Sequence, residues 1–225
     1  MSVENFEQYP NNKLENWIAY RESPEFLQGI KALEDLEGYS SYHKALLLAV
    51  ALNLKKGASL EFPDTIDTAR VEQIMSGLGI FFHRDDAWKE RFSERRPGQR
   101  IPNYHMYQVG ASMEDVAEVM RVDGVSGEEF SDEEYGRAMD FPETAVAAYG
   151  QYVQTGDEKL LLPLFDPRLT AEEQAFTNSR LSEANWEEEI QWREQLMAGV
   201  LEHSPKIYSD IIDDFEKHLE TREKQ

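Results

Sequence analysis

The sequence predicts a predominantly helical α+β fold, in which a small antiparallel sheet of two or three strands lies among helices and a helical hairpin follows. Three observations support this fold class. Helix-capping residues and apolar residues at helical spacing recur along most of the 225 residues. Short segments rich in aromatic and β-branched residues interrupt that pattern near the middle. Two apolar stripes at helical spacing occupy the C-terminal region.

The first helices carry clear start and stop signals. Ser23 and Pro24 suit the N-cap and the first helical position, and Gly38 ends that helix. A second helix is expected over 42–56, with Gly57 as its C-terminal cap. Because it is apolar nearly all round from 45 to 52, it is the predicted central buried helix. A third helix is expected over 67–76.

Two strands are predicted at 79–83 and 104–109, where the helical period is lost. We expect them to pair in antiparallel fashion, and 60–62 is a candidate third strand. Helices then resume at Ser112 and at Ser131, which begins a capping box. These elements form a predicted α+β body over 1–155.

The remainder of the chain is predicted to contain a proline-bearing linker over 156–170 and a helical hairpin over 171–225. The hairpin has apolar residues along one face of each helix and acidic residues on the exposed faces. One interpretation is that the hairpin packs on the body. The other is an arm that forms a homodimer or docks a protein partner.

Charge is distributed unevenly along this acidic chain. The formal net charge is −21, of which residues 101–225 contribute −18. Such an excess is typical either of a protein from a salt-rich, halophilic archaeal type of cytoplasm or of an ordinary acidic protein. The chain has no cysteine, which excludes disulfides, thiolate zinc sites and cysteine nucleophiles. No apolar run resembles a secretory signal or a membrane span, so we expect a cytoplasmic protein without membrane contact.

Residues 84–100, called the basic island below, hold six Lys and Arg residues against four Asp and Glu. Arginine forks there would bind a phosphate or nucleic acid, with Trp88, Phe92 or Tyr104 stacking on a base. The structural alternative is one short helix whose acids precede its arginines, as the helix dipole favours, with Asp85 paired to Lys89. The candidate ligand-binding residues are Arg91, Arg95, Arg96, Arg100 and Tyr104 of this region, together with His83, His105 and Asp140.

His83 and His105 lie on the two predicted strands beside the basic island. If they face each other across the ladder, they and Asp85 would supply enough ligands for a divalent metal. Histidines that are simply hydrogen-bonded are the alternative, and no metal-binding spacing of histidines is present. We therefore predict no metal and no cofactor.

The corner between two helices at 135–149 places Asp140 near a helix start, where it would face amide donors. The pattern Gly136…Phe141-Pro142-x-x-x-Val146-x-x-Tyr149 resembles the G-x-x-x-G-Y-P-x-C-C-V-x-x-F segment of an uncharacterised, mostly archaeal family of unknown function. The similarity extends over about 40–150. Thr144 and Ala145 stand at the cysteine positions and Asp140 replaces the second glycine, so the resemblance implies no thiol or metal role and no activity.

These observations predict a non-catalytic binding or protein-interaction domain. Nucleic-acid or phosphate binding through the basic island is one alternative, and an enzyme site near His83, His105 and Asp140 is another. Common nucleotide-binding and hydrolase motifs are absent from the sequence.

Overall fold

The computed structural model describes residues 19–125, 130–163, 166–177 and 180–223, without the side chains of Arg95, Arg222 and Glu223. It confirms a predominantly helical α+β fold with a three-stranded antiparallel sheet. The strands are β1 (Gly57–Pro63), β2 (Phe81–Asp85) and β3 (Tyr104–Gly110). The helices named below are α1 (Pro24–Glu34), α2 (Ser41–Ala51), α3 (Thr68–Gly77), α4 (Trp88–Arg95), α5 (Met113–Val122), α6 (Asp132–Ala138), α7 (Glu143–Thr155), α8 (Ala171–Ala175), α9 (Trp186–His203) and α10 (Pro205–Glu223).

The N-terminal helices begin where their capping residues predict. Ser23 accepts a hydrogen bond from the amide of Phe26 at 3.1 Å, and Asp67 accepts one from the amide of Ala69 at 3.0 Å. Helix α2 is the central buried helix and belongs to the main core. These helices position the sheet, because α2 packs directly on β1 and β3.

Helix α2 ends at Ala51, earlier than the expected end near 56. Asn53 has a φ of 54°, in the left-handed region where a helix stops. Gly57 is not a cap but the first residue of β1. A Cβ at Gly57 would lie 2.7 Å from Val119 Cγ2 and 2.9 Å from the carbonyl oxygen of Val109, so the glycine allows α5 and β3 to approach the strand closely.

Strand β3 is central, with β1 on one side and β2 on the other. All three strands are antiparallel to their neighbours, and each extends beyond or is shifted from its predicted range. One face of the sheet carries the fully buried side chains of Leu60, Tyr107 and Val109 and forms part of the main core. The opposite face is partly covered by α5.

The C-terminal helices α9 and α10 are adjacent and form the predicted hairpin. Their apolar stripes enter the main core through Met197, Val200, Ile207 and Ile211. Ser204, between the helices, donates to Glu34 Oε1 at 2.7 Å and so joins the turn to α1. The hairpin therefore packs on the body along these residues.

The segment predicted as a linker is packed rather than free in its described part. Leu162 and Leu169 are buried in a small cluster with Leu181 and Ile190. A β-bridge joins Leu161 to Ser182. Leu162 and Leu169, which lie on either side of the two prolines, pack with Ile190 and so hold the segment against α9. Among the described residues, no helix combines the length and the apolar character needed to cross a bilayer.

Candidate functional site

The sheet face opposite the main core carries two rows of mostly polar side chains. Because cross-strand partners project to the same face, the register defines both rows. The first row is Glu61, Met106 and Asp85, and the second is Ser59, Gln108 and His83. The name polar face is used below for these six residues. Polar side chains from all three strands meet on this face.

The two histidines do not face each other. His83 lies opposite Gln108, whereas His105 lies opposite Phe62. Positions 105 and 108 are an odd number of residues apart, so their side chains leave opposite faces of β3. The predicted pairing of His83 with His105 is therefore wrong. His105 instead lies 3.6 Å from Asp64, measured from Nε2 to Oδ1. In the described part of the chain, no three His, Asp or Glu residues are arranged to hold a metal ion.

A buried ion pair occupies one edge of the polar face. Asp85 is 3 % exposed and is paired with the guanidinium of Arg91, one turn into α4. Asp85 also accepts a hydrogen bond from the amide of Ala87 at 3.2 Å. The predicted pairing of Asp85 with Lys89 is wrong, because Lys89 points to Asp64 at 3.0 Å. Arg91 thus serves to neutralise a buried carboxylate.

Asp123, directly after α5, lies against the middle of the polar face. Its Oδ2 accepts hydrogen bonds from Ser59 Oγ at 2.6 Å and from Gln108 Nε2 at 2.9 Å. Burial raises the pKa of Asp123, and the charge of Asp85 adds to the rise, while the two hydrogen bonds and Arg91 oppose it. Gln108 is 0 % exposed, and its Oε1 is buried without a hydrogen-bond partner in the described residues.

The aromatic residues of the basic island stack within the chain. The rings of Trp88 and Tyr104 are parallel, with centroids 4.2 Å apart, and Trp88 is 6 % exposed. Burial and the nearby Glu61 carboxylate raise the pKa of Tyr104 to about 12. Phe92 faces the guanidinium of Arg96 at 5.5 Å. These contacts engage ring faces that base stacking would need.

The cations of the basic island divide into two groups. Arg84 pairs with Glu72 at 3.0 Å and with Asp86 at 2.8 Å, and Lys89 and Arg91 have the partners given above. By contrast, Arg96 and Arg100 are exposed and form no ion pair with any described residue. They flank an exposed Pro97-Gly98 turn in which Gly98 has a φ of 81°. Residues 96–100 are called the cationic turn below; the side chain of Arg95 lies outside the described residues.

Asp140 lies away from the other predicted site residues, at the opposite end of β1 from Tyr104. Its Oδ2 accepts a hydrogen bond from the amide of Lys56 at 3.1 Å, and its Oδ1 lies 3.6 Å from the Lys56 ammonium. Its φ is 57°, which an aspartate adopts more readily than most residues. Asp140 therefore joins the corner between α6 and α7 to the start of β1.

Sequence patterns missed Gln108, Ser59 and Asp123. Asp123 precedes a glycine after a helix, which resembles an ordinary helix end, and its partners are separated from it by up to 64 positions. The available signal was Gln108 itself, an amide in the middle of an apolar aromatic strand. No protein-family model matches this chain, and no curated protein or solved structure is significantly similar to it.

Proposed function

We propose that this chain is a non-catalytic, cytoplasmic binding protein that contacts an acidic segment of a protein partner through the cationic turn. One observation carries the proposal. Three cations of the basic island, Arg84, Lys89 and Arg91, are paired with carboxylates, whereas Arg96 and Arg100 stay exposed and form no ion pair with a described residue. In a chain of net charge −21, exposed arginines without a carboxylate partner are a distinctive surface.

An acidic protein segment suits this surface better than a nucleic acid does. Guanidinium groups bind carboxylates and phosphates alike, so charge alone does not choose between them. Base stacking would favour nucleic acid, but Trp88 and Tyr104 stack on each other and Phe92 faces Arg96. The negative charge of residues 101–225 repels an acidic peptide and a phosphate backbone alike, so the preference rests on these stacking contacts.

The other predicted surfaces support the turn as the contact site. The apolar stripe of the hairpin is used in the core, which leaves less of it for a homodimer. The enzyme alternative that relied on both histidines loses its geometric basis, since His83 and His105 project to opposite faces of the sheet. The acidity is consistent with a salt-rich cytoplasm, in which mutual repulsion between carboxylates is screened.

Binding to a fluorescein-labelled decaglutamate peptide at low salt, measured by fluorescence anisotropy, tests the proposal. Replacing both arginines, Arg96→Ala with Arg100→Ala, should weaken binding about 5- to 25-fold, since each exposed ion pair contributes up to about 1 kcal/mol. The control, Lys159→Ala with Lys217→Ala, removes the same charge from exposed positions elsewhere and should change binding less than twofold.

Two outcomes would contradict the proposal. Equal losses in the arginine variant and the control would show that only net charge matters. Binding of a ten-nucleotide thymidine oligomer that requires both arginines, without binding of decaglutamate, would identify a nucleic-acid surface instead.

A further inference from the structure

An open groove lies between α7 and the loop that precedes α9. Its volume is about 570 Å³, which is within the range of pockets that hold small ligands. Ala147, Ala148 and Leu160 supply apolar surface, and most of the other lining residues are polar and exposed. The wall formed by α7 extends from Glu143 to Gln151, which is about 12 Å at the helical rise per residue. This length accommodates roughly three to four residues of an extended peptide.

The loop that forms the opposite wall is held in place by a buried carboxylate. Glu189 is 1 % exposed; its Oε2 accepts a hydrogen bond from the amide of Ser182 at 2.8 Å, and its Oε1 accepts one from Ser182 Oγ at 2.5 Å. The amide of Asn185 donates to Ser182 Oγ at 3.1 Å. The amide of Glu183 donates to the carbonyl oxygen of Leu160 at 2.9 Å. This wall therefore needs little rearrangement before a ligand binds, which favours affinity.

The charges that line the groove leave one cation without a partner. The carboxylate of Glu143 pairs with Arg137 at 3.0 Å, and that of Glu183 pairs with Arg168 at 2.8 Å. Lys159 also lines the groove, and its ammonium group forms no ion pair with a described residue. The groove therefore attracts an anionic group. Among its described lining residues, no carboxylate is left to receive a free α-ammonium group.

Two carboxamides add unused hydrogen-bonding groups to the walls. The side chains of Gln151 and Asn185 are exposed and form no hydrogen bond with a described residue. Asn185 is the N-cap of α9, where an asparagine side chain commonly accepts a hydrogen bond from the first helical turn, but it accepts none from the described residues. Each carboxamide has an acceptor oxygen and an NH₂ donor, as a peptide group has a C=O and an N–H. The groove thus matches a ligand that carries peptide groups.

We propose that this groove binds the C-terminal end of a polypeptide that has small apolar side chains. The terminal carboxylate contacts the ammonium group of Lys159. The last peptide groups hydrogen-bond to Gln151 and Asn185. The small side chains pack on Ala147 and Ala148. One negative charge at the chain end matches the one uncompensated cation of the groove.

The ligand is the end of a longer chain rather than a free tripeptide, because the groove offers no partner for an α-ammonium group. The site lies on other elements than the cationic turn and goes beyond the function proposed above. Decaglutamate does not end in small apolar residues, so its binding reports on the cationic turn. The two proposals can therefore fail independently.

Alanine peptides test the proposal on the full, unmodified chain labelled with ¹⁵N, at constant ionic strength. Acetyl-trialanine with a free carboxylate should produce saturable shifts of the Gln151 and Asn185 side-chain amide resonances. The same peptide with a C-terminal amide lacks the charge and should bind about fivefold more weakly, the usual effect of one exposed ion pair. Sodium acetate has no peptide group and should bind at least tenfold more weakly. Unacetylated trialanine should bind no more tightly than acetyl-trialanine.

Four results would overturn the proposal. The first is the absence of a saturable shift with acetyl-trialanine, and the second is equal binding of its acid and amide forms. Acetate that binds as tightly as the peptide acid would show a simple anion site. Tighter binding of unacetylated trialanine would assign the groove to free peptides rather than to a chain end.

Variants identify the groove residues through the Asn185 resonance. Lys159→Gln should abolish the preference for the acid over the amide peptide. Ala147→Leu fills the groove from an exposed helical position and should weaken both peptides at least tenfold. The matched controls are Lys217→Gln, at a side chain that is 75 % exposed on α10, and Gln154→Leu, at an exposed position of α7 outside the groove. Both controls should leave binding within twofold. Equal losses in Lys159→Gln and Lys217→Gln would show that only net charge acts and would contradict the site.

Discussion

Lys55 is a buried lysine whose neighbours offset only part of the cost of burying its charge. Its side chain is 4 % exposed, and its ammonium group donates to the carbonyl oxygen of Met139. The ammonium nitrogen lies 4.9 Å from the centre of the Phe141 ring and 5.7 Å from that of Trp192. Burial lowers the pKa of Lys55 to about 8, although the charge of Asp140 opposes this change.

The lowered pKa predicts that stability rises with pH. Between about pH 8 and the ordinary lysine pKa of 10.5, the unfolded chain keeps the proton that folded Lys55 has released. Stability must therefore increase across this window, by on the order of 3 kcal/mol if it is crossed completely. Tyr104 and Tyr135, whose pKa values are raised to about 12, lower stability again above about pH 10. Urea unfolding between pH 7.5 and 9.5 avoids the titration of these tyrosines; burial also lowers the pKa of Lys44, so the Lys55 contribution is the part of the rise that depends on Lys55.

The Lys55→Met variant should lose this rise, because the titrating group is gone. Lys56 is the matched control, since it is the next residue along the chain and its side chain is 68 % exposed. Lys56→Met should keep the rise. A slope that persists in Lys55→Met would mean that another group titrates, and the assignment to Lys55 would be wrong.

Single residues also explain which parts of the candidate site the sequence could predict. Arg96 and Arg100 were identifiable, because a Pro-Gly pair between arginines already indicates an exposed turn. The separation of His83 from His105 was not, because a shift of one residue in the pairing register inverts every face assignment, and the sequence did not define the register. The Asp123 contacts with Ser59 and Gln108 depend on how α5 returns over the sheet, which no local pattern contains.

At the scale of elements, α5 can return over the sheet because Gly110 ends β3. A Cβ there would lie 2.8 Å from Asp115 Cβ, 2.8 Å from the amide nitrogen of Val116 and 3.0 Å from the carbonyl oxygen of Ser112. Two of these atoms are backbone atoms of α5 and its cap, so they cannot move aside independently. The strand and helix must separate if position 110 has a side chain.

We therefore expect Gly110→Ala to destabilise the protein by about 2 kcal/mol, as overpacking of a close contact does. Gly77→Ala is the control, because a Cβ at Gly77 would meet its nearest neighbour at 3.8 Å and the residue ends a helix. That variant should change stability by less than about 0.5 kcal/mol. Chemical denaturation measures both, and a Gly110→Ala variant as stable as Gly77→Ala would contradict the close packing.

Elements were predictable where capping and periodicity agreed, as for α1, α3 and α10. They were less predictable where one residue type is common in two different structural settings. Gly57 is a common helix cap and also a residue that permits close approach, and only the packing of Val119 selects the second use. Likewise, prolines indicate a linker at 156–170, but the burial of Leu162 and Leu169 depends on the position of α9.

At the scale of the whole molecule, the charge composition limits what ion pairs can do. The chain has 23 Lys and Arg residues and 44 Asp and Glu residues, so many carboxylates have no cation to pair with. Most of the observed pairs are at the surface, where each contributes little and is weakened by salt. Salt also weakens the repulsion among the remaining carboxylates. Weaker ion pairs lower the stability of the fold, whereas weaker repulsion raises it.

Because the chain has a formal net charge of −21, repulsion should dominate, and KCl should raise the melting temperature. Increasing KCl from 0.1 to 1 M shortens the screening length from about 10 to about 3 Å. We expect a gain of about 1–2 kcal/mol, equivalent to about 2–8 °C at this chain length.

Neutralising exposed acids, as in Glu194→Gln with Glu216→Gln, should raise stability at 0.1 M KCl and reduce the gain. A melting temperature that falls with KCl would show that ion pairs dominate. A plateau by about 0.5 M would contradict adaptation to a salt-rich cytoplasm, which requires the rise to continue into the molar range.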